Sequence, residues 1–116
     1  MTSASSFPQA YEAFRGLPYP AYPQTEEVQD WNSHLLTLDG WIAGYATRIA
    51  NGSMSAAEVP EIPDLIRRVE DLLRDLARLT SRVEAEEQLL KQYRSYVAAL
   101  HRLITEISAL ADKGIA

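Results

Sequence analysis

From Asp64 to Lys113 the chain carries neither glycine nor proline, whereas all six prolines and four of the five glycines precede Asp64. Nothing in that second half breaks a helix, and strand signals are missing from the whole sequence. The punctuation therefore predicts an all-α fold whose glycine- and proline-marked turns lie in the first half.

Hydrophobic spacing assigns the faces. Ile62, Leu65, Val69, Leu72, Leu76, Leu79, Val83, Glu86, Leu90, Tyr93, Val97, Leu100, Ile104, Ile107 and Ala111 recur at alternating intervals of three and four, the heptad rhythm of a helix seam. Glu86 alone interrupts the apolar series. Two architectures satisfy this rhythm. A single C-terminal helix would reach about 75 Å at 1.5 Å per residue and would need a second chain to cover it. A helix bent near 80–88 would fold back on itself, and Ser81 with Glu84 offers a capping box for the restart. The unbroken heptad phase favours the continuous helix, completed to a bundle by self-association. The flanking apolar positions shift from Ile66 and Leu73 early on to Leu89, Tyr96, Leu103 and Leu110 later, so the two halves meet different neighbours.

Before Asp64 the chain reads as two units, residues 1–24 and the start of a helical hairpin domain spanning 25–116. Ser6, Pro8 and Gln9 form a helix-start signal for a short helix over Phe7 to Arg15. Its aromatic face is Phe7, Tyr11 and Phe14, and Gly16 offers a left-handed stop. Leu17 to Pro23, with three prolines interleaved by Tyr19 and Tyr22, reads as an extended strap or a docking peptide. Thr25 caps a second helix with Glu26, Glu27 and Asp30 near its positive end. Val28, Trp31, Leu35, Leu38, Ile42, Tyr45 and Ile49 make its seam. Asn51 to Pro63 is a linker with a single turn implied by Ser55 and Glu58, and the two long elements pair antiparallel across it.

Gly40 and Gly44 are unexpected inside the second helix, where each costs about 1 kcal/mol relative to alanine. They lie opposite the seam, so the sequence predicts that the aromatic strap, with Tyr19 and Tyr22, or a partner helix approaches there beside Trp41.

Chemistry is harder to find. Without cysteine there is no disulfide or thiolate site. Neither His34 nor His101 follows a Glu by three residues, so the di-iron pattern is absent, and no cofactor or metal is expected. No Gly-x-Ser-x-Gly elbow or phosphate loop occurs. Arg67, Arg68, Arg74, Arg78 and Arg82 interleave with acids, allowing Asp64/Arg68, Arg67/Asp71, Glu70/Arg74 and Glu87/Lys91 pairs. A net charge of −5 disfavours nucleic acid, and no signal segment or membrane span is read, which points to the cytoplasm.

The reading that follows is a non-enzymatic interaction module, an adaptor, subunit or chaperone, that forms a homodimer or larger homo-oligomer. Its partner-binding residues would be Val28, Trp31, Leu35, Leu38, Ile42, Tyr45, Leu90, Tyr93, Val97 and Leu100, with Glu86 setting register. The alternative is a small-molecule-binding regulatory domain with an aromatic pocket around Trp31 and Trp41. Glu86→Leu is expected to raise the melting temperature and broaden the native mass distribution, because a carboxylate on a seam costs several kcal/mol unless paired; unchanged values in both measurements would remove the register role.

Overall fold

The computed structural model describes residues 7–20, 26–78 and 84–112, and among these the side chains other than those of 26–32 and 84–86. Four helices account for the fold: α1 (Phe7–Arg15), α2 (Glu26–Ala50), α3 (Ile62–Ala77) and α4 (Glu84–Asp112), with a 3₁₀ turn at Ala56–Glu58 between α2 and α3. No strand occurs among the described residues.

The second half is two helices rather than one rod. Helix α3 ends at Ala77, where the Arg78 N–H donates to the Asp75 carbonyl at 3.2 Å, and α4 returns along it. The crossing points run in opposite directions: His101 of α4 meets Glu70 of α3 at 3.0 Å, while Arg94 reaches the Leu76 carbonyl at 3.4 Å. The extents of 46 × 28 × 21 Å leave no room for a 75 Å helix. Folding back removes both halves of the seam from water within one chain, an outcome that sequence periodicity does not distinguish from pairing between chains. The expected Ser81–Glu84 restart and Glu86 itself lie outside the described side chains.

Helix α2 also runs antiparallel to α3. The Arg68 guanidinium lies over the Trp41 ring at 6.0 Å, whereas Asp71 and Asp75 sit opposite Thr37 and His34. Helices α2, α3 and α4 thus form an up-down-up bundle, and α1 packs across it against α4. One apolar core joins all of them: Phe7, Ala10 and Phe14 from α1, Leu35, Leu38, Ile42 and Ala46 from α2, Leu65, Val69, Leu72 and Leu76 from α3, and Tyr93 through Ile107 from α4.

The turns follow their sequence signals with one exception. Gly52 takes φ 83 at the end of α2, and the Ser53 N–H reaches back to the Arg48 carbonyl at 2.9 Å, satisfying a terminal acceptor that would otherwise be orphaned. The Ser55 N–H donates to Glu58 Oε1 at 2.7 Å, as the capping pair implied. Gly16, however, does not adopt the left-handed stop; Leu17 N–H instead closes a tight turn onto the Phe14 carbonyl at 3.1 Å.

Surface charges re-pair relative to the simple helical rule. Asp64 does bond Arg68 at 2.9 Å, but Arg67 also turns to Asp64, Asp71 takes Arg74 at 2.9 Å, and Glu70 is drawn across to His101. The i,i+3 alternatives and a neighbouring helix compete equally well for exposed side chains, whose pairs contribute under about 1 kcal/mol each.

Because Phe14 lies in the shared core, Phe14→Ala is expected to lower the unfolding free energy by about 3 kcal/mol, measured by urea denaturation. An unchanged midpoint would mean that α1 is an appendage.

Candidate functional site

The seam residues proposed to meet a partner are spent on the chain itself. Leu35, Leu38 and Ile42 of α2 and Leu90, Tyr93, Val97 and Leu100 of α4 are buried, and Tyr45 is half-buried against the same core. Val28, Trp31, Tyr22 and Glu86 fall outside the described side chains. What α2 leaves outside is its opposite face.

That face is built by the spacing Ser33, Thr37, Gly40 and Gly44, four, three and four residues apart, with Leu36 and Trp41 on its two flanks. A Cβ added to Gly40 or Gly44 would meet no described atom of another element within 4 Å, so neither residues 17–20 of the strap nor any described helix approaches the glycines. Tyr19 therefore does not dock on them as expected, whereas Tyr22 lies outside the described residues. Leu36 is 64% exposed and Trp41 45% exposed, large apolar surfaces for so small a protein. None of these six positions is Asp, Glu, Lys or Arg.

Tyr19 packs elsewhere because it finds an aromatic partner on α4. Tyr19 meets Tyr96 edge-on with ring centroids 5.3 Å apart, and Phe14 tilts against the same ring at 5.1 Å. Such offset geometries bring ring edges onto ring faces. Beneath them the Tyr96 hydroxyl donates to Asp39 Oδ1 at 2.5 Å, linking α4 to α2 across 57 positions of sequence. Burial, the hydrogen bond to Asp39, the Asp39 charge and Tyr19 all push the Tyr96 hydroxyl well above the ordinary tyrosine range. Burial first, and Asp39 second, raise Tyr19 as well. On the far side of α1, Tyr11 hydroxyl and Thr47 Oγ1 lie 3.2 Å apart.

A second concave feature separates α2 from α3. His34 and Thr37 form one wall and Arg68, Asp71 and Asp75 the other, with Leu38 and Leu72 between them, around a cavity volume of about 530 Å³. The size lies within the range of small-molecule sites. Arg68 is committed to Asp64 and to the Trp41 face, and Asp71 to Arg74.

Among the described residues no group of three His, Asp or Glu side chains is placed to hold a metal ion. His101 is partly covered and paired with Glu70. Reading by heptads missed Leu36, whose only signal is an apolar residue beside a seam leucine. It also missed Asp39–Tyr96, for which distant sequence positions offer no signal.

Tyr96→Phe is expected to reduce stability by about 1–2 kcal/mol at neutral pH, the worth of a hydrogen bond to a charged acceptor that water can partly rehydrate. Unfolded tyrosine ionises near pH 10, whereas folded Tyr96 resists ionisation. Its contribution is therefore complete below about pH 10 and declines as the pH climbs toward the folded value. Denaturation profiles above pH 10 should consequently be shallower for Tyr96→Phe than for the wild type.

No helix among the described residues is long and apolar enough to cross a membrane. Comparison with protein-family models, curated proteins and solved structures found no match to this chain.

Proposed function

We propose that this protein is a non-enzymatic helical interaction module that self-associates through the outer face of α2, acting as an adaptor or complex subunit. The observation that carries this reading is the uncharged, uncovered strip around Gly40 and Gly44, flanked by Leu36 and Trp41. Glycine in an exposed helix is unfavourable by itself. It becomes useful where a second helix must come within the 8–10 Å typical of packed helix axes.

A second copy is the occupant that suits this face. Two-fold pairing sets the same patch against itself, so Leu36 and Trp41 of one chain would cover the glycine strip of the other. The seam residues serve indirectly, by holding α2 with its glycines outward. The net charge of −5 argues for protein rather than nucleic-acid partners, and a cysteine-free chain suits a reducing cytoplasm.

Sedimentation analysis over rising concentration tests this. The expected result is a mass approaching twice 13.0 kDa, with Leu36→Glu remaining at the single-chain mass. Since Leu36 is largely exposed, that variant should keep its unfolding free energy within about 0.5 kcal/mol. A wild-type mass of one chain up to about 1 mM, where any useful affinity would register, overturns the proposal.

A further inference from the structure

The α2–α3 cleft differs from the outer face of α2 in chemistry as well as position. Its lining alternates apolar and charged groups, and the charges do not all balance. Arg68 Nε donates to Asp64 Oδ2 at 2.9 Å, and Arg74 Nη1 donates to Asp71 Oδ1 at 2.9 Å. The carboxylate of Asp75, a half-buried residue in the same lining as Leu72, has no hydrogen bond or ion pair to any other described residue. Of the neighbouring acids of α3, Asp64 and Asp71 are paired with arginines, and Glu70 lies 3.0 Å from His101 Nε2. The spare charge in the cleft is therefore negative, and it sits where partial burial makes an unpaired carboxylate unfavourable.

We propose that this cleft binds a small primary ammonium ion carried on an apolar stem. The ammonium N–H groups donate to the Asp75 carboxylate, and the stem lies along Leu38 and Leu72. A primary ammonium supplies up to three donors, matching an acceptor-only carboxylate, and the resulting charge-assisted bonds are stronger than neutral ones. An anionic ligand fits poorly, because Arg68 is already held by Asp64 and stacked over Trp41. A cavity of about 530 Å³ accommodates a stem of several carbons.

Titration of the full chain with n-hexylammonium chloride, followed by amide chemical shifts, provides the test, with n-hexanol and hexanoate as matched controls. Saturable shifts at Thr37, Leu38, Leu72 and Asp75 with a dissociation constant of about 1 mM or tighter are expected for the ammonium. Asp75→Asn should weaken binding about tenfold, the equivalent of one charge-assisted bond. Glu70→Gln, whose partner is His101 outside the cleft, should leave binding unchanged. Leu36→Glu should also bind normally, so failure of self-association and failure of this site are separable. Equal binding of hexanol, unaltered affinity in Asp75→Asn, or no saturable shift with the ammonium would each overturn the proposal.

Discussion

Burial of α4 is the constraint on which the rest of the structure depends. Tyr93, Tyr96, Val97, Leu100, Leu103, Ile104 and Ile107 cover a wide arc of this helix, and all are buried. An arc that wide exceeds the narrow a/d seam of a two-stranded coil. It needs neighbours on several sides, and α1, α2, α3 and the 3₁₀ turn all meet α4. Each buried aliphatic side chain contributes about 1.5–3 kcal/mol, so the chain has strong reason to fold its other helices around this one. The shift of flanking residues from Ile66 and Leu73 to Tyr96 and Leu103 is the trace of this asymmetry. Helix α3 shows a stripe to the bundle, whereas α4 lies inside it.

Polar contacts then select one arrangement among those that apolar burial would allow. Tyr96 is the principal junction: its ring receives Phe14 and Tyr19, and its hydroxyl bonds Asp39. One side chain thereby orients α1, the strap and α2 relative to α4. At the turn between α3 and α4, Arg94 spans to the Leu76 carbonyl and to Glu87, satisfying a carbonyl at the C-terminal end of α3 that helix geometry leaves open. Once these junctions are made, α2 has only one orientation, with Leu35, Leu38 and Ile42 inward and Gly40 and Gly44 outward. The two surfaces available for function, the glycine strip and the α2–α3 cleft, follow from that orientation.

Much of the secondary structure was readable from local chemistry. The bounds of α1 coincide with those expected from its aromatic spacing, and Asn51–Gly52 ends α2 through a backbone conformation that glycine tolerates. The apolar faces were also identified, because a helix must hide a stripe of side chains whatever covers it. The identity of the covering surface was less accessible. Leu90 or Val97 would carry the same spacing against another chain as against α3 of its own, which is why a seam suited to assembly proved to be an intramolecular core.

The sequence by itself determined the helical class, the turns that precede Asp64 and which side of each helix avoids water. These depend on contacts within a few residues, where propensity, capping and periodicity act. Only the tertiary structure decided that the second half folds back, that Tyr19 lies on Tyr96 rather than on the glycines, and that the Asp75 carboxylate faces a cleft unpaired among the described residues. Those outcomes depend on groups tens of residues apart competing for the same surface. Gly40 and Gly44 span both levels. Their cost to α2 was evident from sequence, but their exposure was set by Tyr96 and the α4 core, which draw Tyr19 and the opposite face of α2 elsewhere.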